Sequence, residues 1–178
     1  MSEPDVSDLL TVAQAIAIID ATPVQPRIVE VPLGDADGLV LAQDIRADRD
    51  YPPFDKSLMD GYAVRCADVA QTPVELRVIG EIAAGTIAAR GLAKGEAFAI
   101  MTGAPMPDGA DGVVPVEDTQ RVGDNVRIAK ASAPDRFITR CGNDIGSGAV
   151  VLEGGMKLGP AQLAVAASVG AASVKVVR

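Results

Sequence analysis

The spacing of apolar positions predicts a helix near each end of the chain. Apolar residues recur every three or four positions across 8–21, as in an amphipathic helix, and Ser7 or Asp8 is available as the N-cap. Segment 160–169 is also predicted to be helical, with a proline in its first turn and Gly170 just past its end. The sequence therefore predicts two helices separated by a long stretch of other structure.

Between these helices the apolar runs are short, and several alternate with polar residues as half-buried strands do. The predicted strand regions are 28–31, 62–64, 74–78, 98–101, 113–118, 122–128 and 173–178, and 39–45 and 149–152 are further apolar segments. We expect 28–31 to pair with 39–45, and the Gly-Asp-Asn turn inside 122–128 to close a hairpin. Pro115 places its strand at a sheet edge or a bulge. Short strands at this spacing predict a β barrel or a sandwich-like unit.

Three polar loops, 52–61, 102–111 and 136–146, separate some of these strands. Prolines and glycines favour stiff turns that present side chains, and loops of this kind often carry binding or catalytic residues. The candidate residues are Asp55, Lys56, Ser57 and Asp60 in the first loop, Thr102, Asp108 and Asp111 in the second, and Arg136, Arg140 and Asp144 in the third.

The charged side chains of these loops allow two interpretations. In the first, Arg140 and Lys56 neutralise an anionic group while a carboxylate orients a cation or a water molecule. In the second, Arg140 and Asp144 pair with each other or with solvent, as many surface ions do. Spacing alone does not decide between the two.

Composition excludes several kinds of site and partner. A net charge of −8 over 178 residues argues against nucleic acid or an anionic membrane as the main partner. The chain has no histidine, and Cys66 and Cys141 lack Cys-x-x-Cys spacing, so no metal-ligating residues are predicted. The glycine-rich loops match no phosphate-binding fingerprint. Because no apolar run is long enough to span a membrane, we expect a soluble cytoplasmic protein whose core is built mostly from Val, Ile, Leu and Ala.

Three motifs resemble one known family in content and order. They are Pro53-Phe54-Asp55-x-Ser57-x-Met59-Asp60-Gly61-Tyr62-Ala63-Val64, then Ile100-Met101-Thr102-Gly103-Ala104-Pro105-x-Pro107-x-Gly109-Ala110-Asp111, then Arg140-x-Gly142-x-Asp144-Ile145-x-x-Gly148-Ala149-Val150-Val151. The chain resembles the molybdopterin molybdenumtransferases, the molybdenum insertases that include the C-terminal region of gephyrin. The similarity runs from the first helix to Arg178. It covers only the front of such a protein, which continues into a third domain related to the molybdopterin adenylyltransferases and a small β domain.

The resemblance implies a transferase of molybdenum cofactor biosynthesis. Such an enzyme inserts molybdate into adenylated molybdopterin and releases AMP, with Mg²⁺ involved. In the family the pocket lies between the second domain of one protomer and the third domain of its dimer mate. A cytoplasmic homodimer is therefore implied, with other proteins of molybdenum cofactor biosynthesis as further partners. This chain is expected to supply one wall of that composite site and to be inactive alone.

The matching positions also imply roles for individual residues. The catalytic residues implied are Asp60, Thr102 and Asp144, and the substrate-binding residues are Arg140, Ser57 and Lys56. The chain departs from the commonest family pattern at Lys56 and Leu58, where Asn and a small residue are frequent, and at Asn143, where Glu is usual. Asn143 lacks the charge that a glutamate would place beside Asp144.

The expected fold is mainly β with a few helices, an α+β arrangement in which a β-rich barrel-like domain is inserted into a small α/β domain. The implied divisions are a helix at 1–26 that packs on the absent third domain, a first domain at 27–47 and 148–178, and the inserted second domain at 48–147. The end of the chain on an apolar strand indicates a cut between domains.

Two other functions fit the sequence. One is a stand-alone, non-catalytic binding or dimerisation module that keeps the loops for protein contacts. The other is an unrelated mainly β ligand-binding domain whose loop matches arose by chance.

Overall fold

The computed structural model describes residues 10–23 and 25–178, and within those ranges the protein is mainly β with two α-helices. The helices are α1, Val12–Ala21, and α2, Pro160–Ser168. The strands are β1 Ile28–Pro32, β2 Val40–Leu41, β3 Ile45–Arg46, β4 Lys56–Ser57, β5 Gly61–Val64, β6 Val74–Ile82, β7 Glu96–Ile100, β8 Gly112–Pro115, β9 Thr119–Val122, β10 Asn125–Ile128, β11 Ile138–Thr139, β12 Val150–Leu152 and β13 Ser173–Val177. The predicted fold class is confirmed. No helix in the described ranges is long and apolar enough to cross a membrane.

Helix α1 begins at a capping box. The Thr11 hydroxyl oxygen accepts from the Gln14 amide at 3.3 Å, and the Gln14 side-chain oxygen accepts from the Thr11 amide at 2.9 Å. Ser7 and Asp8, the predicted N-caps, lie outside the described residues. No residue of α1 is buried, and Ile19 is 70% exposed. The apolar face of α1 therefore has no cover within the described part of the chain.

Packing divides the chain into two compact units. The first contains the described residues up to Asp44 together with Leu152–Ala167 and Ala171–Arg178, and the second contains Ile45–Val151 and Ser168–Gly170. The β-rich second unit, called the inserted unit below, thus interrupts the first in sequence. The domain boundaries that the resemblance implies stay a prediction.

The first unit contains a three-stranded antiparallel sheet in the order β1-β13-β2. The expected pairing of 28–31 with 39–45 is therefore wrong, because β13 lies between β1 and β2. Val174 and Val176 of β13 are buried, and this strand pairs with β1 over five residues. The central position suits the strand with the most regular alternation of buried and exposed side chains, since it has neighbours on both edges.

The inserted unit contains a six-stranded sheet in the order β8-β5-β7-β6-β10-β9. The predicted hairpin is confirmed, since β9 and β10 pair from Val122 opposite Asn125 onward. Strand β8, which ends at Pro115, lies at an edge as predicted. Strands β6 and β7 run parallel, and an irregularity between Val78 and Glu81 carries β6 on to Ile82, past the predicted end at 78.

Apolar side chains are buried in two clusters within the inserted unit. One contains Leu76 and Val114, and the other contains Ile82 and Val113. Neighbouring residues of β8 enter different clusters, because successive side chains of a strand point to opposite faces. A sheet buried on both faces is a rigid support for the loops that leave its strands.

Candidate functional site

The three motif loops contact one another within the inserted unit. We call 52–61 the first loop, 102–111 the second and 136–146 the third. The first and second are joined by backbone hydrogen bonds, with the Gly103 amide donating to the Ser57 carbonyl at 2.8 Å and the Ser57 amide donating to the Ala104 carbonyl at 3.0 Å. These bonds run in both directions, so the two loops are held in a fixed register.

The first and third loops are joined by a short antiparallel ladder. Strand β4 pairs with β11, with Ser57 opposite Ile138 and Lys56 opposite Thr139. The Leu58 amide extends the contact by donating to the Phe137 carbonyl at 2.9 Å. The first loop therefore bonds to both of the others.

Asp60 and Thr102, both predicted catalytic residues, are in direct contact. The Asp60 Oδ1 atom accepts from the Thr102 amide at 2.7 Å and from the Thr102 hydroxyl at 2.8 Å. These two bonds, the amide bond first, lower the pKa of the Asp60 carboxyl from its ordinary value, because both stabilise the charged form. Asp60 is exposed and ionised near neutral pH, and its Oδ2 atom accepts no hydrogen bond within the described ranges.

Gly61 fixes the backbone beside Asp60. A Cβ atom at Gly61 would lie 2.1 Å from the Val114 carbonyl oxygen, a distance that no side chain tolerates. The Val116 amide donates to the Asp60 carbonyl at 3.0 Å. The Asp-Gly pair is therefore part of the β5–β8 contact and not a free surface turn.

Arg140 is held by two carboxylates. Its Nη1 atom donates to Asp55 Oδ2, and its Nη2 atom donates to Asp135 Oδ1. The other oxygen of Asp55 accepts from the Cys141 amide at 2.8 Å. The suggested pair of Arg140 with Asp144 is wrong, since neither of the two ion pairs of Arg140 involves Asp144.

Asp144, the third predicted catalytic residue, is not in contact with the Asp60–Thr102 pair. Its amide donates to the Tyr51 carbonyl at 2.9 Å, and its Oδ1 atom accepts from the Asn143 side-chain amide at 3.2 Å. Among the described residues, no hydrogen bond or ion pair joins its carboxylate to Asp60 or Thr102. Its catalytic role stays a prediction.

Ser57 and Lys56 occupy different environments. Ser57 is 1% exposed, and its hydroxyl donates to the Met59 carbonyl at 2.7 Å, a bond that closes the turn of the first loop. Lys56 is half-buried, and its ammonium group has no hydrogen-bond or ion-pair partner in the described part of the chain. Substrate binding by Lys56, Ser57 and Arg140 stays a prediction.

Sequence reasoning missed two carboxylates that fix the third loop. Asp135 lies one residue before this loop and binds Arg140, while Asp50 Oδ1 accepts from the Ser147 amide at 2.7 Å. The Asp50–Ser147 contact joins residues 97 positions apart, so local spacing carries no signal for it. Asp135 has a positive φ of 64°, a conformation in which aspartate is enriched, and this preference is the one signal the sequence offered.

The described residues form no dedicated cage for Mg²⁺, and the Mg²⁺ that the resemblance implies stays a prediction. No group of three or more acidic or cysteine side chains among them is placed to hold a metal ion. Asp55 has both carboxylate oxygens occupied by protein donors.

Comparison with known proteins gives a consistent result. The family model of the MoeA N-terminal region, domains I and II, matches residues 10–170. Molybdopterin molybdenumtransferase 2 of Mycobacterium tuberculosis is 44% identical over 154 residues, which cover 84% of this chain and 38% of that protein. Molybdopterin molybdenumtransferase of Staphylococcus aureus is 40% identical over 143 residues, covering 78% of this chain and 34% of that protein.

Solved structures agree with the sequence relatives. A crystal structure of the molybdopterin biosynthesis MoeA protein from Pyrococcus horikoshii has a TM-score of 0.86 at 37% identity, covering 96% of this chain and 44% of that one. A second structure of MoeA from this organism has a TM-score of 0.79 at 38% identity. The chain spans less than half the length of each of these relatives. With most of its residues matched by the family model, the chain belongs to the MoeA family, in the N-terminal region that forms domains I and II.

Proposed function

We propose that this chain supplies the Asp60–Thr102 wall of a composite site at which molybdate is inserted into adenylated molybdopterin. The single observation that carries the proposal is the direct contact of Asp60 with Thr102, at the junction of two of the motif loops. The names of the relatives, molybdopterin molybdenumtransferase, support a transferase acting on molybdopterin. In the complete protein, the other wall comes from the third domain of the partner in a cytoplasmic homodimer.

The role proposed for Asp60 is to accept a hydrogen bond rather than a proton. A carboxyl whose pKa lies below its ordinary value is a weak general base near neutral pH. Its Oδ2 atom is still able to accept a hydrogen bond from a bound ligand or a water molecule. Thr102 keeps the carboxylate charged and oriented through its amide and its hydroxyl.

Exposed apolar side chains on α1 support a further part of the proposal. Val12 is 77% exposed and Ile19 is 70% exposed. Large apolar side chains at this exposure are typical of a surface that another part of a complete protein covers. We therefore keep the expectation that α1 packs on the third domain.

The test is molybdate insertion by the complete protein carrying Asp60→Asn or Thr102→Ala. Each variant is expected to reduce the rate by roughly tenfold or more, because a hydrogen bond to a charged group contributes about 1.5–3 kcal/mol. Thr102→Ser keeps the hydroxyl and should retain most of the rate.

Asp124→Asn is the matched control, since Asp124 lies in the exposed turn between β9 and β10 and its side chain bonds to nothing among the described residues. Wild-type insertion rates in both Asp60→Asn and Thr102→Ala would remove the pair from the mechanism. Those rates would favour the alternative of a non-catalytic binding or dimerisation module.

A further inference from the structure

Two ion pairs share Arg140, one with Asp55 and one with Asp135. We call these three residues the Arg140 clamp. The guanidinium bridges one carboxylate of the first loop and one that directly precedes the third loop. The clamp carries one positive and two negative charges, so the Arg140 charge is already balanced within the protein. The ion pairs use two of the five guanidinium N–H groups, and the two carboxylates offset the charge that would attract an anionic ligand.

Backbone strain lies next to the clamp. Asp135 and Phe137 are the non-glycine residues with positive φ in the described ranges, at 64° and 60°. Phenylalanine rarely adopts this conformation, and it persists only where surrounding contacts impose it. The Asp135 amide donates to the Asp111 carbonyl at 2.8 Å, and the Arg136 guanidinium lies 4.9 Å from the centroid of the Phe137 ring. The chain thus enters the third loop in a conformation that needs contacts to hold it.

A row of amides crosses the same boundary between the loops. The Cys141 amide donates to Asp55 Oδ1 at 2.8 Å, and the Gly142 amide donates to the Pro52 carbonyl at 3.0 Å. The Leu58 amide donates to the Phe137 carbonyl. Every one of these bonds depends on the third loop lying against the first.

We propose that the Arg140 clamp fastens the third loop to the first loop, so that Arg140 is a positioning residue and not a ligand of an anionic group. The clamp acts through Asp55, whose two oxygens hold Arg140 and the Cys141 amide at once. It sets the place of the third loop, and of Asp144 on it, relative to the first loop that carries Asp60. This inference concerns loop geometry and does not rest on the proposed function.

The first test is amide hydrogen exchange in this chain, followed residue by residue by NMR, for Arg140→Gln. Exchange at Cys141 and Leu58 is expected to become at least tenfold faster, whereas exchange at Tyr62, inside the β5–β8 pair, stays as in the wild type. Asp135→Asn should give the same pattern. Arg140→Lys keeps the charge but lacks the planar fork, so it should restore only part of the protection.

The matched control is Arg127→Gln on β10, because Arg127 is exposed and its side chain takes part in no hydrogen bond or ion pair among the described residues. It should leave exchange at Cys141 unchanged. Two results overturn the proposal. One is unchanged exchange at Cys141 in Arg140→Gln, and the other is an equal acceleration at Cys141 and Tyr62, which would indicate general destabilisation.

The alkylation rate of the Cys141 thiol provides a second test, because an open third loop and a closed one predict different rates. This thiol lies 3.8 Å from Asp50 Oδ2, and partial desolvation by its neighbours, followed by the Asp50 charge, raises the thiol pKa. In a closed loop, the thiol stays beside Asp50 and its alkylation stays slow. Loop opening instead moves the thiol away from Asp50. Faster alkylation in Arg140→Gln therefore supports the clamp, and slower or unchanged alkylation contradicts it.

Titration with molybdate tests the remaining part of the inference. If Arg140 is a positioning residue, molybdate should leave the side-chain Nε–H signal of Arg140 in place. A saturable shift of that signal, absent from Arg127, would assign Arg140 to anion binding and overturn the proposal. This outcome is separate from the insertion assay, so the clamp and the proposed function can fail independently.

Discussion

Asp60 is held in place by a neighbour that has no side chain. The Val114 carbonyl oxygen occupies the space where a Cβ of residue 61 would lie. Strands β5 and β8 pair at this position, with Gly61 opposite Pro115. A residue of any other type would have to push the two strands apart, and Asp60 would move with them.

We predict that Gly61→Ala destabilises the protein strongly, by about 2–4 kcal/mol, because the added methyl group collides with backbone and not with a flexible side chain. The measurement is the midpoint of urea unfolding. Gly146→Ala is the matched control in the same unit. Its Cβ would meet nothing within 4 Å, so its effect should stay within about 0.5 kcal/mol. Equal effects of the two substitutions would contradict the argument.

Residue types placed Asp60 and Thr102 among the loop candidates, and the family resemblance singled them out as catalytic residues. Their contact could not be predicted from spacing, because it joins positions 42 residues apart. The same limit applies to Arg140, because its partner Asp55 is 85 positions away, whereas local spacing offers only the nearer Asp144 or solvent. The sequence therefore named Asp60, Thr102, Asp55 and Arg140 as candidates but not Asp135, and their pairing is set by the fold.

Strands β6 and β7 form the parallel pair of the six-stranded sheet. The carboxylate of Glu96 links β7 both to β6 and to the segment that connects the two strands. Glu96, the first residue of β7, is 7% exposed and accepts from Arg77 of β6 at 2.5 Å. Arg90, in the segment that connects the two strands, donates to both oxygens of Glu96 at 2.8 and 2.9 Å. Together the two arginines, Arg90 first, lower the pKa of the Glu96 carboxyl to about 2.

This shift predicts a pH dependence of stability with a defined sign. The carboxyl has an ordinary pKa of 4.5 and a folded pKa of about 2, so the folded state favours its charged form. The resulting stabilisation is fully present above pH 4.5 and is lost as the pH falls toward 2. Glu96→Gln should therefore be less stable than the wild type at neutral pH, and the difference should shrink over that interval.

Urea unfolding of both proteins across this pH range measures the effect. Glu81→Gln is the control, since the exposed Glu81 side chain on β6 has no ion pair among the described residues. A Glu96→Gln deficit that is constant from pH 7 down to about 2 would show that the carboxylate charge does not carry the stabilisation.

At the scale of elements, local patterns predicted the existence of strands better than their partners. The β9–β10 hairpin was predictable because its turn residues adjoin the strands they connect. The position of β13 between β1 and β2 was not, since that sheet joins strands from the two ends of the chain. The parallel β6–β7 pair was also missed, because it depends on a connection with little regular structure of its own.

At the scale of the whole molecule, the first unit is discontinuous in sequence, because the inserted unit lies between its parts. The inserted unit runs from Ile45 to Val151 and includes Ser168–Gly170, while β1 and β13 of the first unit come from opposite ends of the sequence. The folding of the first unit should therefore require both ends of the chain, whereas the inserted unit should need mainly its own continuous segment.

We predict that segment 45–151 folds on its own, because both apolar clusters and all three motif loops lie inside it. It should be slightly less stable than the same unit in the whole chain. One reason is the loss of the Ser168 carbonyl, which lies 2.7 Å from the Tyr51 hydroxyl, although that hydroxyl can still donate its one hydrogen to Asp48 Oδ1 at 2.7 Å. Circular dichroism and a single cooperative unfolding transition would establish folding. A peptide of residues 10–44 is the contrasting case and should stay unfolded, since it lacks β13.

The inserted unit begins and ends on hydrogen-bonded neighbours. Strand β3 pairs with β12, and next to them the Ala47 amide donates to the Ala149 carbonyl at 2.9 Å while the Gly148 amide donates to the Ala47 carbonyl at 2.9 Å. Because the two ends of segment 45–151 lie side by side, a short peptide could join them and make the segment circular. The circular segment could then be opened at another loop to give a circular permutant. By the same geometry, segment 45–151, which carries all three motif loops, could be inserted into a host protein at a single surface position.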